Sequence, residues 1–509
     1  MDATAEQIDA IDLSTQGKSM KLIAFAGAGK TSTLIMIAKR LGEEGKRGLY
    51  LAFNKDIAKE AGNKLPANVE ASTFHSLAYR GSPRWLTAKL GGSTLNGKAF
   101  AEYHNLSTLF VTSFVKKKGS AKKIKAKIPI TTFHQKKLID DGLNEFMITS
   151  AKQPAKRHLR KAIDTMFEHV DDNDKDYLTG RLFRAMQNIW YDYINPEGKL
   201  GIGNNHNVYL KLWALSEPII NKDFILFDEA QDADPIMIGV LLKQQCPVIY
   251  VGDAHQQIYS WRGSQNIMQK LDMPARYLTQ SFRFGDELAR YCQPILGYLG
   301  EKNRFKGIKN FKEPITQIDK STYNPKDLNV ALCRTNIGAV ELMIKFAALG
   351  LYAVPANIQI GSTIDMLDAL HQFELDPKSQ ARHYILKNFN DFSELLKYNQ
   401  EYQGDQSIAP FLKLYQEYEY TEIKNILQRC SRLEQGDKWD FQVTTAHKAK
   451  GREWDNVLIH SDFNDSFFNE DGSAKDAPDE EYRLLYVAMT RAKKKLYAAN
   501  IAKVIEIIQ

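Results

Sequence analysis

The stretch LIAFAGAGKTSTL, residues 22–34, constrains this chain more than any other. An apolar run enters a bend of small residues, and Lys30 and Thr31 leave it into a helix-like segment. Gly27 and Gly29 let backbone N–H groups turn inward without a Cβ clash. The following helix N-terminus adds its partial positive charge. Lys30 can then reach terminal phosphates, and the Thr31 hydroxyl can bind Mg²⁺. Ala24 stands six positions before the lysine, where the usual loop pattern has a glycine, so only the outermost glycine is replaced.

Further runs set this loop in a sheet. Residues 21–26 read as a strand, 30–41 as a helix, and 48–53, 224–230 and 247–253 as further strands. Strands alternating with helices predict a parallel α/β sheet. Sites in such sheets form at the carboxyl ends of strands, so Lys30, Asp228 and Asp253 are expected to converge. In LFDEAQD, Asp228 is suited to holding Mg²⁺, and Glu229 to orienting or deprotonating an attacking water. Runs at 328–336, 351–356, 441–447, 456–461 and 494–500 predict a second sheet of the same class. Residues 85–190 and roughly 365–432 read as mostly helical insertions. The segment KKKGSAKKIKAK (116–127) carries seven lysines and no acid. It reads either as a solvated loop or helix face, or as a contact to nucleic-acid phosphates.

Bulk properties narrow the classes. A length of 509 residues predicts two or more domains. No apolar run approaches the roughly 18 residues that a membrane span needs, so no membrane association is expected. The start, MDATAEQIDAI, lacks the basic and apolar regions of a signal peptide. The four cysteines lie far apart and form neither metal-type pairs nor a disulfide framework. A reducing, cytosolic setting follows as the expectation. The net charge of +7 permits a polyanionic partner.

Hydrolysis of a bound nucleotide also needs positive charge on the γ-phosphate in the transition state. Arg283 in LTQSFRFG and Arg491 in LLYVAMTRAKKKL have the settings for it. Single-strand grooves use aromatics as stacking platforms. Tyr259 and Trp261, in IYSWRG, suit that use, because a tryptophan beside polar and glycine residues makes a poor core residue.

These residues carry a resemblance. AEQIDAI, AFAGAGKT, AFNKDIA, STFHSLA, FDEAQDAD, VGDAHQQIYSWRGS, LTQSFRFG, LCRTN, TTAHKAKGREWDNV and EEYRLLYVAMTRAKKKL follow one another in order through nearly the whole chain. In them the chain resembles the UvrD/Rep group of superfamily 1 DNA helicases, and its wording is similar to the branch holding the F-box DNA helicases, although no F-box is recognisable.

The resemblance implies two RecA-like P-loop parallel-sheet domains with largely helical insertions. Motor domain 1A would span 1–85 and 190–285, with a 1B subdomain at 86–189. Domain 2A would span 286–365 and 432–509, with a reduced 2B-like insertion at 366–431. ATP and Mg²⁺ are the implied ligands. Ala26, Gly27, Ala28, Gly29, Lys30 and Thr31 would cradle the nucleotide, with Ser32 near the adenine. Gln7 would read adenine and Phe282 stack on it, while Glu453 would lie near the ribose. Gln256 would sense the γ-phosphate, and Arg283 and Arg491 would neutralise it. Phe53, Asn54, Thr73, His75, Tyr259, Trp261, Arg262, Thr445 and His447 would contact the DNA strand. The family aromatic in the block after the second strand falls at Ala52 here, so Phe53, one place later, is the stacking candidate.

The implied function is an ATP-dependent helicase or translocase on single-stranded DNA and its junctions with duplex. It would move 3′ to 5′, driven by hydrolysis between the two RecA-like domains. A translocase that strips proteins or powers a partner in repair, replication or defence is the alternative. A nucleotide-gated binding subunit is a third class, opposed by the intact Lys30, Asp228, Glu229, Arg283 and Arg491. A cytoplasmic, nucleoid-associated or nuclear location is expected.

Overall fold

The computed structural model describes residues 3–91, 97–116, 123–197, 205–259, 267–309, 311, 316–317, 324–378, 383, 386, 389–401, 408–433, 439–469 and 471–508. They form two compact units. The first comprises residues 1–23, 31–252 and 259–277, and the second 24–30, 253–258 and 278–509.

The first unit is built on strands β1 (Met20–Ala24), β2 (Gly48–Ala52), β3 (Val69–Thr73), β6 (Phe224–Phe227), β7 (Val248–Gly252) and β8 (Ala275–Leu278), in the order β3-β2-β6-β7-β1-β8. The pairs β3/β2, β2/β6, β6/β7 and β7/β1 are parallel. β2, β6 and β7 are buried at every position, as strands covered on both faces must be. Crossover helices supply that cover. The helix Lys30–Glu43 buries Leu34, Ile37, Ala38 and Leu41, which share one face at helical spacing. Parallel pairing brings the carboxyl ends of β2, β3 and β6 to one edge of the sheet, where Phe53, Thr73 and Asp228 follow or end the strands.

The insertion contains the expected helices Thr132–Met147, Lys156–Met166 and Asp172–Ile194. It also contains an antiparallel hairpin that a helical reading of 85–190 does not foresee. β4 (Leu109–Lys116) pairs with β5 (Lys123–Ile130) from Leu109↔Ile130 to Lys116↔Lys123. KIKAKIPI alternates lysine with small or apolar residues, the period of a half-buried strand. Its Lys125 and Lys127 are exposed. Residues 117–122 of the lysine-rich segment lie outside the described residues.

The second unit holds β11 (Thr316–Gln317), β12 (Val330–Cys333), β13 (Ala353–Pro355), β14 (Phe441–Thr445), β15 (Trp454–Ile459) and β16 (Ala492–Tyr497). Their order is β11-β16-β15-β12-β14-β13, with every adjacent pair parallel. β9 (Gln280–Gly285) and β10 (Lys306–Ile308) form a separate parallel pair. Between β13 and β14, the helices Ile360–Leu375, Ala409–Glu417 and Tyr420–Leu433 pack on the sheet core through Leu367, Leu414 and Leu427. A small second core around Leu370, Phe373, Leu395 and Leu412 completes this compact helical insertion.

The turn after β12 is held by Asp462. Its carboxylate accepts from the Arg334 and Thr335 amides at 2.9–3.0 Å. A Cβ at Gly338 would come within 2.0 Å of that carboxylate, so glycine is required there. All four cysteines are free. Among the described residues no helix is long and apolar enough to cross a membrane.

Candidate nucleotide and nucleic-acid site

The phosphate loop belongs to the second unit. Gly27 and Gly29 adopt left-handed conformations, with φ of +70° and +79°. Gly27 also faces a crowded neighbour. A Cβ there would stand 2.5 Å from Ser281 Oγ and 2.7 Å from Arg283 Cβ. The Phe282 N–H donates to the Gly27 carbonyl at 2.8 Å, so β9 is laced to the loop through its backbone. The Phe282 ring itself is 43% exposed, available to a planar ligand. Below the loop, Phe25 packs edge-on against Phe305 at 5.2 Å and tilts toward His255 at 6.2 Å.

Both expected arginines lie in this unit. Arg283 Nη1 donates to the Thr490 carbonyl at 2.8 Å. Its Nε lies 2.6 Å from Glu453 Oε2, but the N–H is not aimed along that line, so the contact is an ion pair rather than a directed hydrogen bond. Arg491 is only 2% exposed. It donates to the carbonyls of Val487 (2.8 Å) and Arg452 (3.2 Å), to Thr490 Oγ1 (3.1 Å) and to Gln256 Oε1 (3.3 Å). A buried guanidinium is tolerated only when bonded in this way. Gln256 Nε2 in turn donates to Asp253 Oδ2 at 2.7 Å. Burial pushes the Asp253 carboxyl up, against the opposing pull of His255, Lys30 and the Gln256 bond. His255 Nε2 meets Glu301 Oε2 at 3.0 Å. Burial would raise the Glu301 carboxyl, but hydrogen bonds from His255 and the Asn303 amide hold it at about 2.

The first unit carries Asp228 and Glu229. Asp228 follows β6 directly and is buried. Tyr50, in the middle of β2, donates its hydroxyl to Asp228 Oδ2 at 2.6 Å, and the Glu229 amide donates to Oδ1 at 2.9 Å. Burial drives the Tyr50 hydroxyl far above its ordinary range, and the Asp228 charge adds to that, so Tyr50 remains a donor. Glu229 has φ +53°, a left-handed conformation that costs a non-glycine residue about 1–3 kcal/mol. Its Oε2 accepts from Gln231 Nε2 at 2.5 Å. Gln7 caps the helix Ala5–Ser14 together with Thr4, and its Nε2 donates to Thr33 Oγ1 at 3.1 Å. Thr31 is half-buried and Ser32 exposed.

The strand candidates fall into two sets. In the first unit, Phe53 is 41% exposed while Ala52 is buried. The Phe53 ring lies parallel to Tyr259, with an interplanar angle of 6° and centroids 6.2 Å apart. Phe53, one position after Ala52, thus presents a ring parallel to that of Tyr259. Asn54 and Thr73 cap the helices Lys55–Gly62 and Phe74–Gly81. The His75 ring meets His206 and Tyr209 edge-on, and burial lowers its pKa, which favours the neutral imidazole. In the second unit, Thr445 ends β14 and is buried, and His447 lies two residues further on, in the helix Ala446–Ala449. Trp261 and Arg262 lie outside the described residues.

A divalent cation takes hard oxygen donors. Thr31 and the buried carboxylate of Asp228 are of that kind, and the positive-φ glycines ahead of a helix N-terminus fit phosphate.

Comparison with known proteins places the chain in a family. The model of the UvrD/REP helicase N-terminal domain matches residues 3–274, and that of the UvrD-like helicase C-terminal domain matches residues 301–503. The chain belongs to the UvrD/REP helicase family. Among curated relatives, F-box DNA helicase 1 of Gallus gallus is 29% identical over 94% of this chain and 47% of its own length. F-box DNA helicase protein 1 of Schizosaccharomyces pombe is 30% identical over 94% of this chain and 55% of its own. The chain thus spans about half the length of these two relatives. Gabija protein GajB of Bacillus cereus is 24% identical over 65% of this chain and 74% of its own length.

The motifs assign no role to four residues of this UvrD/REP-family chain, Tyr50, Thr33, Ser281 and Tyr486, although the last three lie within the motif-bearing stretches. Tyr50 sits in an all-buried strand, where its hydroxyl demands a partner. That demand was the available signal.

Proposed function

We propose that the chain is an ATP-dependent DNA helicase or translocase acting on single-stranded DNA and its junctions with duplex, moving 3′ to 5′. The observation that carries the reading is the bond from Arg491 to Gln256, in the unit that also holds the phosphate loop and Arg283. A lone P-loop fits many nucleotide-binding proteins. A loop accompanied by a polar sensor and two arginines fits one that responds to the γ-phosphate.

In this reading Gly27, Gly29 and Lys30 hold the phosphates, Phe282 stacks on the base and Glu453 lies near the ribose. Gln7 reads the adenine edge. Glu229, with its carboxylate steered by Gln231, orients the attacking water, and Arg283 and Arg491 stabilise the charge that builds on the phosphoryl group. A divalent cation, expected to be Mg²⁺, would be held by Thr31 and Asp228 and would neutralise phosphate charge. Phe53 and Tyr259 offer ring faces to bases, each contributing about 1–3 kcal/mol. Asn54, Thr73, His75, Thr445 and His447, with Trp261 and Arg262, complete the proposed strand contacts. Residues 86–189 correspond to the proposed 1B subdomain and 366–431 to a reduced 2B.

The names of the relatives support DNA as the substrate: two are DNA helicases by name. The compact insertion between β13 and β14 favours a second reading, a translocase that clears proteins from DNA or powers a partner in repair, replication or defence. Unwinding assays on duplexes with a 3′ or a 5′ tail separate the readings. Unwinding restricted to the 3′ tail supports the helicase. ATP turnover on single strands without unwinding supports the translocase, and preference for the 5′ tail contradicts the polarity.

A further inference from the structure

We propose that Tyr486 is a positioning residue that ties the start of the phosphate loop to Gln256 and Arg491, so that loop, sensor and arginine respond to nucleotide as one assembly; the proposal rests on the motor reading above. Tyr486 lies on the helix Asp479–Met489 and is fully buried. Its ring packs near Phe305, at 6.2 Å, a contact that phenylalanine would make equally well. The hydroxyl is what distinguishes it. It accepts from the Ala26 N–H at 3.1 Å and lies 3.3 Å from Asp253 Oδ2, to which it donates.

Each partner has a place in the site. Ala26 directly precedes Gly27, where the chain first turns left-handed, so its amide sets the entry to the loop. Asp253 holds the segment carrying the sensor, through the His255 amide at 3.0 Å and Gln256 Nε2 at 2.7 Å. Gln256 Oε1 accepts from Arg491, and Arg491 Nε is held by the Val487 carbonyl on the Tyr486 helix. The bonds thus close a ring through Tyr486, Asp253, Gln256, Arg491 and Val487 of the same helix, and the Ala26 amide is attached to it at the Tyr486 hydroxyl. Every member lies within one unit. Because the interior is well packed, movement of Gln256 or Arg491 toward a ligand is passed through Asp253 to the Ala26 amide rather than absorbed.

The hydroxyl touches no phosphate in this scheme, so its loss should affect turnover more than binding. In Tyr486→Phe we expect kcat of the DNA-stimulated ATPase to fall about tenfold with KM for ATP within about twofold. The double variant Tyr486→Phe/Gln256→Ala should be no slower than Gln256→Ala alone, because both break one chain. Hydrogen exchange in a peptide covering residues 24–30, measured without nucleotide, should quicken in Tyr486→Phe. Asp253→Asn, a second break in the same ring, should repeat the pattern if Tyr486→Phe folds poorly. Unchanged kcat, unchanged loop exchange, or losses that multiply in the double variant would each overturn the proposal. A wild-type chain with no DNA-stimulated turnover would overturn the motor reading instead, and the exchange comparison alone would then decide whether Tyr486 ties the loop.

Discussion

Arg491 is 2% exposed and donates to four acceptors, whereas Phe53 is 41% exposed and meets Tyr259 ring against ring. The first region is a buried, cross-bonded network in which each polar group has a fixed direction. The second is a pair of parallel rings, one exposed and one half-buried. The difference suits what each would do under the proposed function. Charge that builds on a transferring phosphoryl group is best met by groups already aimed at it, which costs no reorganisation at the moment of reaction. A strand that must pass along the protein is better held by stacking, which every base offers and which can be released.

The largest expected effects test the phosphate chemistry that the first region is proposed to serve. Lys30→Ala and Glu229→Gln should each lower ATP turnover by about 10³-fold or more, read in a coupled ATPase assay at saturating single-stranded DNA. Glu229→Gln should still bind nucleotide, which equilibrium titration with a fluorescent analogue would check. Turnover within threefold of wild type would mean that Lys30 and Glu229 have been misassigned.

Next come the parallel rings. Phe53→Ala and Tyr259→Ala should each weaken binding of a short oligothymidine by roughly 5- to 150-fold, equivalent to about 1–3 kcal/mol. The rate without DNA should stay unchanged. A loss that appears equally in the DNA-free rate would place these rings in the fold rather than on the strand.

A smaller effect should come from Tyr50→Phe. It leaves Asp228 without its phenolic donor, at a cost of about 1–2 kcal/mol. Its turnover should fall about tenfold, partly recovered by raising the divalent-cation concentration. Recovery at no concentration would separate Tyr50 from the metal-binding role proposed for Asp228.

The smallest effect is one of pH. Glu301 is held at about 2, below its ordinary 4.5, so its bonds to His255 and Asn303 stabilise the fold fully above that ordinary value. The contribution is lost as pH falls from about 4.5 toward 2. Glu301→Gln should therefore lower the melting temperature at pH 7 and narrow its gap from wild type near pH 3. A gap independent of pH would show packing rather than charge at work.

How much of this was legible in the sequence depended on whether a residue acts through neighbours in the chain. LIAFAGAGKT and FILFDEAQ announce themselves, because strand, loop and reactive side chain are contiguous. The expected strands all form, though most are shorter than the apolar runs, since trailing residues such as Asp228 leave the ladder for the site. The hairpin β4/β5 was in view in the alternation of KIKAKIPI, but the lysine density masked the period. Tyr486 could not be read in advance. Its hydroxyl binds a backbone amide 460 positions away, and no local pattern encodes that. The pairing of Phe53 with Tyr259 is of the same long-range kind, yet exposure of an aromatic beside a buried Ala52 gives it away once burial is known.

The central claim is that ATP turnover by this chain is coupled to single-stranded DNA. Steady-state ATPase rates of the purified chain, with and without a long oligothymidine, test it most directly. The account predicts a low basal rate, stimulation by at least about tenfold, and loss of both rates in Lys30→Ala. A wild-type rate that is the same with and without DNA would contradict it.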